Sequence, residues 1–389
     1  MKILHLVDIF SPYGGTTTLL SQLLRALEQK GHDVTLYTTD FRLDRDYIDS
    51  QQGVRVYPFH SWLNLAGLIL TPRIVREARR NLGHFDIIHL HGCRSFQNIV
   101  VHHYAKKYGI PYIVDSHGST LRLGKKRLKL LFDIFFGYKI LRDASKVVAE
   151  TKVGVNEYIE LGINQDKIVL LRPLSYNLEE FSQLPPFGLF RTKYSIKEKH
   201  VVLFLGRIHW LKGLDFLVES FYELARYRSD VILVIVGPDD GYKSTLERLI
   251  DKLNLSDRVL FTGFLGGNEK LSALVDASVV VQTSRYEQGA GVPMEAVLCN
   301  TPIIVNRDTG AGEEVRGMNA GYLAEFGNKD DLREKIEYVL NNLAEAKSKT
   351  KKAEDYIKSN ISTGEKVEEY ENLYATCIEA SKQMVRSKK

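Results

Sequence analysis

Short apolar runs alternate with amphipathic stretches along the first part of the chain. Residues 3–7 form a run typical of a buried strand, leucines at helical spacing fill 16–30, and residues 33–38 form the next apolar run. A strand, a helix and a second strand in this order make up the unit of a parallel α/β sheet. The same pattern predicts further strands at 87–90, 112–115 and 146–149, with helices between them.

The alternation pauses over Leu171–Phe187, which contains three prolines and has no clean period. It then resumes with predicted strands at 201–205, 231–236, 259–262, 279–283 and 302–306, a helix at 214–227 and another after Ser244. We therefore predict an α/β protein with two doubly wound domains. The predicted bounds are 1–172 for the first domain, 173–190 for a linker, 191–363 for the second domain and 364–389 for a C-terminal helix. Ligands of such sheets bind beyond the carboxyl ends of the strands, so a cleft between the domains is the expected site.

Length and composition agree with two domains and exclude several classes of protein. The 389 residues exceed one ordinary core, and 44% hydrophobic with 26% charged residues is usual for a globular protein. A net charge of +5 is too small to predict nucleic-acid binding. The widely spaced Cys93, Cys299 and Cys377 are expected to be free thiols of a reducing compartment. With no signal peptide or membrane-spanning run in the sequence, we expect a cytoplasmic protein, with peripheral binding to the inner face of the cell membrane as the alternative.

Two turns after predicted strands carry candidate ligand groups in the first domain. Gly14 and Gly15 let the backbone approach a ligand where a helix begins, although a glycine pair is also typical of a plain tight turn. His117 in VDSHGS and His91 in IIHLHG follow strand ends, where a histidine can bond a sugar hydroxyl or stabilise a leaving phosphate. The alternative for each is a histidine satisfied within the protein.

The segment GRIHWLKG predicts a diphosphate site in the second domain. Arg207 and Lys212 follow a strand, and Gly213 opens the next helix. Two cations beside a helix N-terminus suit a diphosphate, with arginine binding as a fork and lysine as a mobile point charge. Two exposed loop cations are the alternative. We interpret Asp239–Asp240 as a turn and not as a metal-binding pair, so we expect no required metal.

The segment SRYEQGAGVPMEAV holds two carboxylates, Glu287 and Glu295, with a glycine-containing loop between them. Eight residues apart across this loop, they cannot share a helical face, so we expect contacts with two different parts of one long ligand. Backbone N–H groups of the loop can face that ligand. The loop residues concerned are Gly289, Ala290, Gly291 and Val292.

Two other classes of function compete with a nucleotide-sugar enzyme. A glycoside hydrolase or phosphorylase would use Glu287 and Glu295 as acid and base, and needs them about 5–10 Å apart across a sugar. Plain hydrolysis has no use for Arg207 and Lys212. A non-catalytic nucleotide-sugar binder is the other alternative, and the intact set of cations and carboxylates argues against it.

In order along the chain, GGxxT, SHG, GRIHWLKG and E-x7-E followed by A-x3-N-T-P resemble the retaining glycosyltransferases of family 4. The resemblance covers essentially the whole chain. It implies the GT-B fold, in which two Rossmann-like domains face each other across a cleft and a C-terminal helix crosses back to the first domain. It also implies a nucleotide-diphosphate sugar, such as a UDP or GDP sugar, a hydroxyl acceptor, and no cofactor beyond this co-substrate.

The resemblance also assigns roles to individual residues. It implies that Glu287 contacts the donor sugar, Glu295 holds the ribose, and Arg207 and Lys212 bind the diphosphate. His117 would lie beside the reacting sugar, with Gly14 and Gly15 near the diphosphate and the acceptor. The chain departs from the family pattern at Gln288–Ala290, where Gly-Phe-Gly is usual, at Pro293 and at Asn300. These departures leave the identity of the sugar open.

A basic and apolar segment, residues 121–144, follows the SHG motif. Four cations cluster there beside leucines and phenylalanines. Such an amphipathic segment can bind an anionic membrane surface, while a helix packed on the first domain with a basic outer face is the alternative. A lipid-linked glycan, a phospholipid and a small metabolite are therefore all candidate acceptors.

Overall fold

The computed structural model describes residues 1–65, 67–123, 125–171, 178–289, 291–360 and 363–387. The chain divides into two compact units. The first unit contains Met1–Ser175 and Thr363–Lys389, and the second contains Tyr176–Ser362. Residues 173–177 of the predicted linker lie outside the described residues, while 189–190 already belong to a helix of the second unit.

The first unit is built on a parallel sheet with β1 and β6 at its centre. Its strand order is β3-β2-β1-β6-β7-β8-β9, and an antiparallel hairpin, β4–β5, stands apart. The strands are β1 (Lys2–Leu6), β2 (Asp33–Thr39), β3 (Arg55–Phe59), β4 (Leu63–Leu65), β5 (Leu68–Leu70), β6 (Ile87–His91), β7 (Tyr112–Asp115), β8 (Lys146–Ala149) and β9 (Ile168–Leu170). The chain runs outward from β1 to β3 and then from β6 to β9 on the other side. The topological switch point of this sheet therefore lies between the carboxyl ends of β1 and β6.

Amphipathic helices cover this sheet. In α1, Leu20, Leu23, Leu24 and Leu27 repeat at helical spacing and are buried. The helices are α1 (Gly15–Gln29), α2 (Arg45–Asp49), α3 (Arg73–Asn81), α4 (Phe96–Tyr108), α5 (Lys126–Phe132), α6 (Tyr138–Asp143) and α7 (Lys152–Glu160), with a π-helical turn at Asp133–Gly137.

The second unit has the same plan, with β10 and β13 at the centre of a parallel sheet. The order is β12-β11-β10-β13-β14-β15. The strands are β10 (His200–Leu205), β11 (Val231–Val236), β12 (Val259–Gly263), β13 (Val279–Gln282), β14 (Ile303–Asn306) and β15 (Tyr322–Ala324). The helices are α8 (Leu189–Lys193), α9 (Leu214–Ala225), α10 (Lys243–Lys252), α11 (Gly267–Asp276), α12 (Gly291–Leu298), α13 (Gly310–Gly317), α14 (Lys329–Asn341) and α15 (Leu343–Asn360). Here the switch point lies between the carboxyl ends of β10 and β13.

The C-terminal helix α16 (Thr363–Ser387) packs on the first unit. Its buried side chains join a core cluster with residues of β1 and α1. These side chains are Val367, Tyr370, Leu373, Tyr374 and Cys377. Among the described helices of both units, none combines the length and the apolar character needed to cross a membrane.

Two features differ from the sequence-based expectation. The edge strands β3, β9 and β15 and the hairpin were not predicted. Strand β3 exposes three of its five residues, and β4, β5, β9 and β15 have three residues each, which is too short to show a period. Gly291 and Val292 were expected to belong to the loop between the two glutamates, whereas α12 begins at Gly291. Pro293 lies in its first turn, where the missing backbone N–H costs no intrahelical bond.

Candidate active site

Residues 7–14 connect the carboxyl end of β1 to α1 and end in the glycine turn, beside the switch point of the first sheet. Gly14 is the N-cap of α1 and supplies no side chain to the first N–H groups of the helix. Thr17 fixes the turn, because its hydroxyl lies within hydrogen-bonding distance of the carbonyl oxygens of Ser11 (2.5 Å) and Gly14 (2.8 Å). The predicted Gly14–Gly15 site is thus a helix N-terminus with backbone donors at the edge where α/β ligands bind.

His117 lies two residues beyond β7 and is held on both sides of its ring. Its Nδ1 lies 2.7 Å from Oε1 of Glu150 and 3.4 Å from Oδ1 of Asp115, and its Nε2 lies 2.9 Å from Nδ1 of His91. The backbone of His117 is left-handed, with φ +45°. Its side chain is 12% exposed. The imidazole therefore stands at the sheet edge with both nitrogens engaged by other side chains.

The charges around His117 favour its protonated form. Burial works to lower the pKa of His117, but the carboxylates of Asp115 and Glu150 outweigh burial and raise the pKa to about 9. Burial, together with the charge of Glu150, raises the pKa of Asp115 to about 7, against the opposing effect of His117. The site thus places one imidazolium between two acidic side chains.

His91 and His5 continue this arrangement into the core. Nε2 of His91 lies 3.0 Å from Nδ1 of His5, and both rings are buried. We call His5, His91, His117 and Glu150 together the histidine chain. His91 is the last residue of β6 and is bonded within the protein, so the structure agrees with its interpretation as an internally satisfied histidine.

Two groups in the first unit bring possible metal ligands within 4.8 Å of one another: His5 with His89 and His91, and Asp115 with His117 and Glu150. Hydrogen bonds already engage Nδ1 of His5 and both ring nitrogens of His91 and His117. We therefore interpret these nitrogen atoms as hydrogen-bond donors and acceptors of the histidine chain and not as metal ligands.

In the second unit, Arg207 and Lys212 follow β10 at the switch point, as predicted. Arg207 is half exposed and lies 2.5 Å from Asp240. Lys212 ends a short 3-10 turn and its Nζ pairs with the carboxylate of Glu287. Gly213 has φ +62°, and a Cβ there would lie 2.1 Å from the carbonyl oxygen of Thr283. Glycine therefore allows the turn that carries Lys212 to press against the end of β13.

Glu287 and Glu295 pair with different lysines. Glu287 lies beyond β13, where it also accepts a hydrogen bond from the hydroxyl of Ser284 at 3.0 Å. Glu295 is in α12 and lies 2.8 Å from Nζ of Lys270 on α11. The two carboxylates thus sit on separate elements, each beside its own cation.

The loop between these glutamates is held by the start of α13. The N–H of Gly310 donates to the carbonyl oxygen of Glu287 at 2.7 Å. A Cβ on Gly310 would lie 1.8 Å from the carbonyl oxygen of Gln288, so only glycine permits this approach. Gly289 lies in the loop, Gly291 and Val292 open α12, and the predicted donor-binding residue Ala290 lies outside the described residues.

Comparison with known proteins places these features in a family. Residues 189–359 match the family described as Glycosyl transferases group 1, and residues 13–173 match Glycosyltransferase Family 4. The chain belongs to the group 1, family 4 glycosyltransferases. The N-acetyl-alpha-D-glucosaminyl L-malate synthase of Bacillus anthracis is 21% identical over 405 residues, covering 96% of this chain and 97% of that protein. The D-inositol 3-phosphate glycosyltransferase of Acidothermus cellulolyticus is 26% identical over 353 residues, covering 80% and 75%.

A solved structure shows the fold of this glycosyltransferase. Anabaena HepE, crystallised with UDP and glucose, superposes with a TM-score of 0.82 at 17% identity, covering 97% of this chain and 100% of HepE. The two parallel-sheet α/β units are those of the GT-B fold. The predicted fold class is therefore confirmed.

Several partners of the site residues in this glycosyltransferase were not anticipated from the sequence. Glu150, the partner of His117, follows β8, so its position at a strand end was a usable signal, and the buried Asp8 after β1 gives the same signal. Burial raises the pKa of Asp8 to about 7, against a hydrogen bond from Ser95 that lowers it. Asp240, four residues beyond β11, carried the same signal, whereas Lys270 on α11 is recognisable only by the side chain it pairs with.

The acidic pair 239–240 forms a turn at the start of α10. Oδ1 of Asp239 accepts hydrogen bonds from the backbone N–H groups of Gly241, Tyr242 and Lys243 at 2.9–3.1 Å. These bonds lower the pKa of Asp239. Asp239 thus caps the helix start, while Asp240 pairs with Arg207.

Proposed function

We propose that this glycosyltransferase moves a sugar from a nucleotide-diphosphate donor to a hydroxyl acceptor with retention at the anomeric carbon. The observation that carries the proposal is the placement of Arg207 and Lys212 at the switch point of the second sheet, beside the start of α9. A diphosphate bound there meets two cations and a helix N-terminus. The HepE structures with UDP and with UDP-glucose support such a donor for this fold.

The chemistry follows from where negative charge develops. As the bond from the sugar to the diphosphate breaks, the leaving oxygen takes the bonding electrons, and Arg207 and Lys212 stabilise that charge. The acceptor hydroxyl attacks the same face and passes its proton to the leaving diphosphate. Because two cations neutralise the leaving group, we propose that no divalent metal is needed.

Binding of the donor would replace two ion pairs within the protein by ion pairs with the diphosphate. Arg207 is held by Asp240 and Lys212 by Glu287, so a bound diphosphate competes with both carboxylates. The displaced Glu287 is then released to bond a sugar hydroxyl, while Glu295 in α12 serves the ribose. Under this proposal each carboxylate contacts a different end of the donor.

A panel of nucleotide sugars tests the donor. At 100 times its Kd, a ligand that binds only the folded protein adds about 2.7 kcal/mol to the free energy of unfolding. We expect one nucleotide sugar and its nucleoside diphosphate to raise Tm, and the matching nucleoside to have little effect. Transfer should release free nucleoside diphosphate at equal rates with and without EDTA. Cleavage of a simple glycoside in the absence of any nucleotide would instead favour the hydrolase function.

We further propose that the acceptor is presented at an anionic membrane surface bound by residues 121–144. Six large apolar side chains on α5 and the π-helical turn are 41–58% exposed. They are Leu128, Leu130, Leu131, Ile134, Phe135 and Phe136. Lys125, Lys126 and Arg127 precede them. Asp133 anchors the segment, because it accepts hydrogen bonds from Arg94 and Arg122 at 2.7–2.8 Å.

Vesicle co-sedimentation tests this surface. We expect binding to vesicles that contain phosphatidylglycerol, and about tenfold or more weaker binding by a Phe135→Ser, Phe136→Ser variant, since each buried phenylalanine contributes roughly 1.5–3 kcal/mol. Leu189→Ser is a control, because Leu189 is equally exposed but lies in the second unit. Absence of binding at low salt would refute the membrane proposal.

A further inference from the structure

A row of imidazoles runs from the ligand edge of the first sheet into its core. Glu150, His117, His91 and His5 follow one another at 2.7, 2.9 and 3.0 Å. They come from four adjacent strands or the residues just after them, so the sheet itself fixes the order β1, β6, β7, β8. His117 is partly exposed, whereas His5 is fully buried. The histidine chain is thus a built network that reaches solvent at His117.

The hydrogen-bond directions along the chain allow two proton arrangements. If His117 is an imidazolium, its Nδ1–H donates to Glu150 and its Nε2–H donates to His91. His91 then donates from Nε2 to Nδ1 of His5. If His117 is neutral and still donates to Glu150, then His91 must donate from Nδ1 and His5 from Nδ1. Loss of one proton from His117 therefore requires both buried histidines to change tautomer.

Electrostatics selects between these arrangements. Asp115 and Glu150 both lie within 3.4 Å of His117, so a neutral ring would leave two carboxylates without a cation in a buried site. The other titratable groups of this cluster come from β1, β6 and α16 and are uncharged imidazoles and phenols. They are His5, His89, His91, Tyr370 and Tyr374. Burial lowers the pKa of His5 to about 3, and that of His91 well below its usual value. The positive charge therefore belongs on His117.

We propose that Glu150, His91 and His5 are positioning residues that keep His117 an imidazolium at neutral pH and fix its ring at the ligand edge. This inference rests on the proposed function, with His117 placed beside the reacting sugar as the family resemblance implies. A positive charge held there at neutral pH stabilises negative charge that develops on the leaving diphosphate. In this role His117 acts through its charge and keeps its protons, since both are already donated to Glu150 and His91.

NMR titration of protein labelled with [15N]histidine measures the proton positions without any activity assay. His117→Gln identifies the signals of His117. We expect His117 to remain an imidazolium until the pH approaches about 9, with His91 and His5 neutral and protonated on Nε2. In Glu150→Gln, we expect His117 to lose its proton at least about one pH unit lower, and in Glu150→Asp part of the shift should be restored. Titration of wild-type His117 near 6.5 would overturn the proposal, even if a variant failed to fold.

The pH profile of kcat/KM separates this inference from the proposed function. Since the pKa of His117 is raised, its charge is present at low and neutral pH and is lost as the pH rises through about 9. Glu150→Gln should therefore move the alkaline loss of activity to lower pH, while His102→Gln, at a histidine paired with Asp143, should not move it. If NMR shows the shift and the activity profile stays in place, the positioning network stands and the role of His117 in transfer fails. If neither moves, the positioning role is overturned.

Discussion

Lys212→Ala should lower kcat by about 10²–10³-fold with saturating donor. Removal of one preorganised group that stabilises developing charge typically has this effect. The Gly213 turn holds the lysine against the end of β13. Truncation also leaves Glu287 without its cation, and its charge would then oppose the diphosphate. The measurement is the rate of nucleoside diphosphate release at several donor concentrations.

Controls make the Lys212 result specific. Lys252→Ala removes an exposed lysine at the end of α10 and should leave kcat unchanged. Lys212→Arg keeps the charge with a different shape, and should recover part of the rate. Near-normal turnover by Lys212→Ala at saturating donor would show that the lysine does not stabilise the leaving group.

Gly310→Ala should destabilise the second unit and weaken donor binding together. The added Cβ would lie 1.8 Å from the carbonyl oxygen of Gln288, and this backbone atom cannot move away as the end of a flexible side chain could. Overpacking of this kind costs about 1–3 kcal/mol. The carbonyl of Glu287 would lose its bond to the N–H of Gly310 as the loop shifts, so the carboxylate beside Lys212 would be displaced.

Thermal unfolding and donor affinity measure this effect. For a unit of this size Tm should fall by about 2–4 °C for each kcal/mol. Gly317→Ala is the matched control in the same helix, because a Cβ there meets no atom within 4 Å. Equal Tm and donor affinity in both variants would show that the loop adapts without cost.

Much of the fold was predictable because strand and helix periods are local. Central strands such as β11, VILVIV, are buried on both faces and therefore form unbroken apolar runs. The same rule fails for the edge strand β3, which exposes polar and apolar residues alike. Gly291 and Val292 were assigned to the loop, although they open α12 and the following Pro293 is tolerated in the first turn of that helix.

The sequence also located the candidate site residues, since a residue that follows a parallel strand lies at the ligand edge of the sheet. That rule alone placed Gly14, His117, Arg207 and Glu287, and Glu150 obeys it as well. The ion pairs and hydrogen bonds of these side chains, however, involve partners that are distant in the sequence. Lys212 meets Glu287 across 75 residues, and His5 meets His91 across 86.

The amino-acid sequence by itself determined two strand-helix series, the cations after β10 and the family to which they point. Only the tertiary structure decided that Glu287 and Glu295 each form an ion pair with a lysine and that His117 lies at the end of a buried row of histidines. The physical reason is that hydrophobic periodicity acts within one element, whereas ion pairs and proton positions depend on which strands become neighbours. In this chain β1 lies beside β6, and this crossover brings His5 to His91.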